Sequence, residues 1–143
     1  MATRDDKKGY AAPADVTDFD LGWIHALNKQ HEVELSPLSR AGLEALVASA
    51  TYARTMDDGA FLIGFDQDAA YDSPNFIWHR DRFARFLYVD RIAVAATHRR
   101  RGLAARLYED IFAFAVARGD ERVVCEVNSD PPNPASDAFH EAL

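Results

Sequence analysis

Three consecutive arginines, Arg99 to Arg101, stand directly before Gly102 and a run of apolar residues at helical spacing. They follow the apolar segment Ile92 to Val94, so the pattern predicts a strand, a basic loop and then a helix. The first backbone N–H groups of a helix have no internal partner, so they attract an anion with several oxygens. Gly102 removes a side chain where phosphate would meet backbone, and the arginines can add charge-assisted hydrogen bonds. The segment therefore predicts a pyrophosphate-binding loop; the alternative is a solvated, charged loop.

Other phosphate and metal sites are excluded by the sequence. Gly-x-Gly-x-x-Gly is absent, so the dinucleotide fingerprint fails. Gly-x-x-x-x-Gly-Lys-Ser/Thr is also absent, and Lys29 is the last lysine, which excludes a P-loop nucleotide hydrolase. The histidines show no metal-ligand spacing, and neither Cys-x-x-Cys nor His-Glu-x-x-His occurs, so no metal site is predicted.

Two carboxylates lie within apolar strands, where an ionised side chain is unusual. Asp90 lies in the strand predicted from Phe86 to Val94, and Glu126 lies in the next apolar strand. Because side chains alternate along a strand, residues 86, 88, 90, 92 and 94 are expected on one face, which puts Asp90 beside Ile92. The alternative for Asp90 is a salt bridge with Arg91 or a loop arginine. An isolated carboxylate is costly in an apolar strand, so Glu126 needs a partner or water in a cleft.

The first half of the chain predicts two helices and a hairpin. Apolar spacing indicates a helix over Asp15 to His31, and Ser39 is placed to cap a second, shorter helix. Two short apolar runs, Thr51 to Thr55 and Ala60 to Phe65, flank an Asp-Gly turn, which is typical of a β-hairpin. The long connection over residues 66–84 is expected to be functional or disordered, and its three aromatic residues argue against disorder.

The second half alternates strands and helices. After the strand Phe86 to Val94, apolar residues from Leu103 onward recur at helical spacing and Gly119 is placed to end that helix. Residues 122–127 are predicted as a strand, 128–133 as a Pro-rich turn and 136–143 as a helix. The order of elements indicates an α/β or α+β protein with a mixed sheet.

Composition sets the class of protein. A length of 143 residues predicts one domain over 1–143, with residues 1–9 as a weakly held terminus. No apolar run is long enough to span a bilayer, the amino terminus is not a secretory signal, and the single Cys125 excludes an internal disulfide framework. These features predict a cytoplasmic protein with no membrane partner. The net charge of −7 argues against nucleic acid as a partner.

Two motifs resemble those of the GNAT superfamily of acetyl-CoA-dependent N-acyltransferases. The family pattern Arg/Gln-x-x-Gly-x-Gly/Ala after a strand matches Arg99-Arg100-Arg101-Gly102-Leu103-Ala104. The family pattern Asn-x-x-Ala/Ser-x-x-Phe/Leu-Tyr matches Asn133-Pro134-Ala135-Ser136-Asp137-Ala138-Phe139-His140, except at its last position. The resemblance implies the family fold, a mixed and mostly antiparallel central sheet with flanking helices.

The resemblance also implies how acetyl-CoA binds. The backbone of the strand end would pair with the pantetheine arm, the loop and helix start would hold the pyrophosphate, and two later residues would touch the pantetheine near the thioester. The alternative for Asn133 is an Asx turn before Pro134. The implied cosubstrate-binding residues are Ile92, Ala93, Val94, Arg99, Arg100, Arg101, Gly102, Leu103, Ala104, Asn133 and Ser136. The strand over 86–94 is expected to pair with the hairpin and to diverge from the strand over 122–127 near its end, leaving a gap for pantetheine.

The sequence departs from the family pattern at two places. The family usually has Tyr, the acid that protonates the leaving thiolate, where this chain has His140. An imidazolium can donate that proton near neutral pH, and the alternative is a half-buried histidine in packing. The chain ends at Leu143, where the family would continue with Gly-Phe and two strands, so the sequence is expected to lack its C-terminal strands.

The implied activity is transfer of acetyl from acetyl-CoA to a primary amine of a small molecule or peptide, by direct attack in a ternary complex. His140, Glu126 and Asp90 are the candidate catalytic residues, and a homodimer is possible because many relatives dimerise. The first alternative is a module that binds CoA or another phosphate ligand without turnover. The second is a small interaction domain that uses the Arg triplet.

Overall fold

A computed structural model describes residues 12–125 of the chain, and these form one five-stranded sheet with helices on both faces. The strands lie side by side in chain order. Neighbours are antiparallel from β1 to β4, and β5 runs parallel to β4. The mixed, mostly antiparallel sheet expected from the sequence is confirmed. The strands are β1 (Ala14–Asp15), β2 (Tyr52–Met56), β3 (Ala60–Asp66), β4 (Phe86–Val94) and β5 (Arg122–Cys125).

In the described part of the chain, five α-helices connect or flank these strands. Residues 18–20 and 96–98 add two short 3-10 turns. The helix predicted over Asp15 to His31 begins later than expected, because Asp15 pairs with Arg54 in the sheet. Thr17 then caps the following turn: its backbone N–H and its hydroxyl both donate to the Asp20 carboxylate, at 2.9 and 3.1 Å. The helices are α1 (Leu21–Gln30), α2 (Glu32–Leu35), α3 (Arg40–Ser49), α4 (Pro74–Arg80) and α5 (Leu103–Arg118).

The long connection between β3 and β4 contains a helix that the sequence analysis did not predict. Helix α4 starts with Pro74 in its first turn, where the missing N–H costs nothing. Its Phe76 is fully buried and packs edge-on against the rings of Phe65 and Tyr88. The connection is therefore anchored to the sheet by aromatic side chains. We call residues 67–85 the β3–β4 insertion.

Each face of the sheet buries its own apolar core. On one face, α1, α3 and the aromatic residues of the β3–β4 insertion cover Phe61, Phe65 and Phe86, which are fully buried. On the other face, α5 covers Leu62 and Leu87, which are also fully buried. No helix within residues 12–125 is long and apolar enough to cross a membrane.

A β-bulge at Asp90 changes which residues of β4 share a face. Gly64 of β3 pairs with Val89, but the preceding Ile63 pairs with Arg91, so Asp90 has no opposite residue. An extra residue in one strand shifts the alternation of every side chain beyond it. Ile92 therefore packs in the α5 core together with Val89. The expectation that residues 86, 88, 90, 92 and 94 share one face is wrong for this reason.

Candidate active site

The loop between β4 and α5 carries the predicted anion site. We call residues 95–102 the arginine loop; its three arginines are exposed. Arg100 and Gly102 both adopt left-handed backbone conformations, with φ of 67° and 74°. An ideal Cβ placed on Gly102 meets no atom within 4 Å, so the space in front of this backbone is open. The segment predicted to bind pyrophosphate thus forms an exposed, glycine-containing turn.

Helix α5 directs its amino-terminal end into this loop. Its first intrahelical hydrogen bond runs from the Arg106 N–H to the Gly102 carbonyl, at 3.0 Å. The N–H groups of the three preceding residues therefore lie before the start of the helical hydrogen-bond ladder. The helix is 16 residues long, so its positive dipole end is well developed. Backbone donors and three exposed guanidinium groups together suit the oxygens of a pyrophosphate.

The end of β4 lies next to this loop and is paired on one edge by β3. Ile92, Ala93 and Val94 pair with Leu62, Phe61 and Ala60. On the other edge, the last pair with β5 in the described part of the chain is Val89 with Cys125. Within residues 12–125, no strand therefore covers the β5-facing edge of β4 beyond the bulge. A divergence farther along β5 involves residues 126 and 127, which lie outside the described range.

The bulge places Asp90 and Arg91 in a buried pair. Asp90 Oδ2 accepts from Arg91 Nε at 2.9 Å, and the two side chains are only 7% and 8% exposed. The hydroxyl of Tyr71, from the β3–β4 insertion, donates to Asp90 Oδ1 at 2.5 Å. Both carboxylate oxygens are thus engaged, and the salt bridge with Arg91 that the sequence left open is present.

Tyr71 and Arg91 extend this pair in two directions. The Tyr71 ring stacks on Phe65, with ring centroids 4.5 Å apart. Burial, and then the hydrogen bond to Asp90, raise the pKa of the Tyr71 phenol well above its ordinary value, so it remains a proton donor. Arg91 also donates to Asn28 Oδ1 of α1, at 2.8 Å.

Asn28 carries the network on to the segment between α1 and α3. Its side-chain amide donates to the Ser36 carbonyl at 3.2 Å. Ser36 has φ 76° and ψ 144°, a conformation that only glycine adopts without strain. Strained residues persist where the surrounding structure holds them, and they cluster at functional sites. The bulge therefore joins β4 to α1, to the α2–α3 loop and to the β3–β4 insertion.

Sequence reasoning named Arg91 as a possible partner of Asp90 but missed Tyr71 and Asn28, because 19 positions separate Tyr71 from Asp90 and 63 separate Asn28 from Arg91. The available signal was a charged residue in an apolar strand, and Tyr71 and Asn28 do not carry that signal. Four predicted site residues lie outside the described range. They are Glu126, Asn133, Ser136 and His140. Among residues 12–125, no group of three or more His, Cys, Asp or Glu side chains is arranged to hold a metal ion.

Comparison with known proteins identifies the family. The model of the acetyltransferase (GNAT) family matches residues 44–143, well over half of the chain. The protein belongs to the GNAT acetyltransferase family. It is an acyltransferase by membership, and the resemblance noted from the sequence is confirmed. No curated protein sequence matches this GNAT chain.

Solved structures share the fold at low sequence identity. A ribosomal-protein-alanine N-acetyltransferase from Brucella melitensis biovar Abortus 2308 superposes with a TM-score of 0.67 at 20% identity, covering 94% of this chain and 89% of its own. AAC(6')-Iy, in complex with a CoA-containing bisubstrate analogue, gives 0.63 at 18% identity, covering 93% and 88%. An aminoglycoside acetyltransferase from an uncultured soil metagenomic sample, in complex with sisomicin, gives 0.64 at 15% identity, covering 97% and 89%.

Proposed function

We propose that this GNAT acyltransferase transfers acetyl from acetyl-CoA to a primary amine of a small molecule or peptide, by direct attack in a ternary complex. The observation that carries the proposal is the arginine loop: an open, left-handed Gly102 at the amino terminus of a 16-residue helix, next to three exposed arginines. A pyrophosphate is the part of acetyl-CoA that such a loop fits.

Different groups of the arginine loop are proposed to contribute to pyrophosphate binding in different ways. The backbone N–H groups of Leu103 and Ala104 precede the helical ladder and are proposed to donate to phosphate oxygens. Gly102 keeps that approach open because it has no side chain. Arg99, Arg100 and Arg101 supply the positive charge that offsets the two phosphates, and their exposure keeps the cost of desolvating them low.

The end of β4 is proposed to hold the pantetheine arm. Ile92, Ala93 and Val94 use one edge of their backbone to pair with β3. No strand within residues 12–125 covers their other edge, and its N–H and C=O groups at strand spacing suit the amides of a pantetheine. Asn133 and Ser136 are proposed to contact the same arm near the thioester, as the family motif implies.

Acetyl-CoA supplies an activated acetyl group in the form of a thioester. The protein must hold the amine nitrogen close to the carbonyl carbon of that thioester, remove a proton from the ammonium group and give one to the departing thiolate. Asp90 and Glu126 are the proposed bases, and His140 is the proposed acid. The geometry also supports a second role for Asp90, which is to organise the site, because both of its carboxylate oxygens already accept hydrogen bonds from Tyr71 and Arg91.

The acceptor is proposed to be an amine that carries positive charge in solution. The names of two structural relatives state amine-bearing acceptors, a ribosomal-protein alanine and an aminoglycoside. The chain has a net charge of −7, which favours the approach of a cation over that of an anion. Aminoglycosides and peptides with a free amino terminus are therefore the first acceptors to assay.

Two glycines that flank α5 provide a matched test of the cosubstrate site. Gly102 and Gly119 have nearly the same φ, 74° and 80°, and an added Cβ meets no atom within 4 Å at either position. Glutamate at either site therefore imposes the same backbone strain, but only Gly102→Glu puts a carboxylate into the arginine loop. We expect Gly102→Glu to lower CoA affinity at least tenfold by calorimetry and Gly119→Glu to leave it unchanged.

The transfer itself is measured as release of free thiol from acetyl-CoA with a panel of aminoglycosides and peptide amines. Thiol release that depends on the amine, and that is lost in Gly102→Glu, supports the proposal. Equal CoA affinity in the two glutamate variants would mean that the pyrophosphate lies elsewhere. Tight CoA binding with no amine-dependent thiol release across the panel would instead favour a CoA-binding module.

A further inference from the structure

The turn of the β2–β3 hairpin packs directly against the arginine loop. We call residues 57–59 the hairpin turn. β3 begins and β4 ends at the pair Ala60–Val94, so the turn before β3 and the loop after β4 are neighbours. The Ala95 N–H donates to the Gly59 carbonyl at 2.7 Å. The two segments are therefore joined by backbone as soon as β4 ends.

His98 makes the second connection between them. Its Nε2 lies 3.0 Å from the Asp57 carbonyl oxygen, and an N–H there donates across 41 positions of sequence. Its Nδ1 lies 2.8 Å from the Thr97 hydroxyl, so both ring nitrogens are engaged. The imidazole is thus fixed at both ends, one on the hairpin turn and one on its own loop.

Gly59 makes room for this imidazole. An ideal Cβ at Gly59 would lie 2.3 Å from two His98 ring carbons and 2.5 Å from Nδ1, distances that real Cβ atoms do not show. Gly59 does not have a positive φ, so the requirement here is for space rather than for a left-handed conformation. Any side chain at position 59 must displace the His98 ring.

Beyond His98 the loop needs outside support. Arg100 and Gly102 hold left-handed conformations, and a non-glycine residue keeps one only when its surroundings hold it there. Arg101 reaches back to Asp57, with Nη1 3.8 Å from Oδ2. In the part of the chain that the structure describes, the polar contacts that tie residues 95–101 to another element all go to the hairpin turn.

We propose that the hairpin turn is a support for the arginine loop, and that Gly59 and His98 are positioning residues for CoA. This inference rests on the proposed function, in which the loop binds pyrophosphate. A loop that is already held in its binding shape does not lose conformational freedom when the ligand arrives, so the support increases affinity without touching the ligand.

The test measures binding of coenzyme A to the full chain by calorimetry. Loss of one hydrogen bond, here the partly buried bond from His98 to Asp57, corresponds to roughly a threefold to tenfold change in an equilibrium constant. We expect His98→Ala and Gly59→Ala each to weaken CoA binding by roughly that factor. Because both act through the same imidazole, the double variant should bind no more weakly than His98→Ala alone.

Gly22→Ala is the matched control for the glycine substitution. Gly22 lies in α1 and an added Cβ there meets no atom within 4 Å, so CoA affinity should stay at the wild-type value. Wild-type affinity in both His98→Ala and Gly59→Ala would overturn the proposal, as would strictly additive losses in the double variant. If Gly59→Ala does not fold, His98→Ala decides alone, because it removes atoms and introduces no clash.

The outcome also separates this inference from the proposed function. If Gly102→Glu abolishes CoA binding while Gly59→Ala and His98→Ala bind normally, the cosubstrate site stands and only the support is wrong. If Gly102→Glu binds CoA normally, the cosubstrate site itself is misplaced.

Discussion

Replacing Asp90 by asparagine should destabilise the protein strongly, because Asp90 is the counter-ion of a buried arginine. The Asp90 and Arg91 side chains are 7% and 8% exposed and 2.9 Å apart, so solvent screens their interaction little. Removing one partner of a buried ion pair costs about 3–5 kcal/mol. Asparagine keeps one oxygen that can accept a hydrogen bond, and Arg91 keeps its bond to Asn28. We therefore expect the free energy of unfolding to fall by about 3 kcal/mol, near the lower limit of that range.

Tyr71→Phe isolates the second contact of the same carboxylate. Phenylalanine keeps the ring that stacks on Phe65 and removes only the hydroxyl that donates to Asp90. A hydrogen bond to a charged group is worth about 1.5–3 kcal/mol, so a loss of about 2 kcal/mol is expected. The two substitutions share Asp90, so the double variant should lose at least about 1 kcal/mol less than the sum of the single losses.

Urea unfolding followed by tryptophan fluorescence measures these changes in the free energy of unfolding. Asp72→Asn is the matched control, because Asp72 is an exposed carboxylate beside Tyr71 and its replacement should stay within about 0.5 kcal/mol. A loss below about 1 kcal/mol for Asp90→Asn would refute the reasoning, since the pair would then contribute little to folding.

Turnover separates the two roles of Asp90. If Asp90 only organises the site, Tyr71→Phe and Asp90→Asn should lower the rate of amine-dependent thiol release by similar factors. If Asp90 is the base, Asp90→Asn should lower the rate by about 10² to 10⁴ while Tyr71→Phe changes it far less.

Three further expectations concern stability. Burial raises the pKa of the Tyr52, Tyr71 and Tyr108 phenols, so above pH 10 the unfolded chain loses protons that the folded chain keeps. The free energy of unfolding should therefore fall by up to about 1.4 kcal/mol per pH unit for each tyrosine. A urea midpoint that does not change from pH 9 to 11 would contradict this. Ile111→Ala removes a fully buried side chain that packs against the sheet and should lower the free energy of unfolding in urea by about 2–5 kcal/mol. Val116→Ala, at a position 79% exposed on the same helix, should lower it by less than about 0.5 kcal/mol. Equal losses would contradict the placement of α5. Ser36→Gly relieves a glycine-only conformation and should raise the melting temperature, by an amount corresponding to about 1 kcal/mol; a lower melting temperature would show that the serine is not strained.

The sequence predicts the elements whose signals are local. The strand over 86–94 has the predicted bounds because a mainly apolar run forms it, and α5 ends at Arg118 because the next residue, Gly119, adopts a left-handed conformation with φ 80°. Helix α4 was missed because its seven residues begin with Pro74 after an Asp-containing segment and owe their position to Phe76 in the core. The segment at Asp15 was predicted as helix but pairs with β2, a partner that lies 39 positions away.

The candidate site also has one part that could be predicted from the sequence and another that could not. The arginine loop is a contiguous motif, so its strand, glycine and helix could be predicted together. The bulge at Asp90 could not, because it is a property of pairing between β3 and β4 rather than of β4 alone. Contacts such as Tyr71 with Asp90, or His98 with Asp57, join residues 19 and 41 positions apart, and no periodicity within one element indicates them.

The unpaired position of Asp90 has a consequence for how this strand can change by insertion and deletion. β4 has nine residues, but only eight of them have a partner in a regular ladder. Removing residue 90 would leave Val89 beside Arg91 with the same partners and the same faces, because the bulge adds one residue between two correctly oriented halves. Both cores would keep their apolar residues, and only the carboxylate and its contacts would disappear. Asp90 is therefore a surplus residue of the strand ladder, but its loss would leave the buried Arg91 without a counter-ion, so we expect such a deletion to be tolerated only together with a change at Arg91.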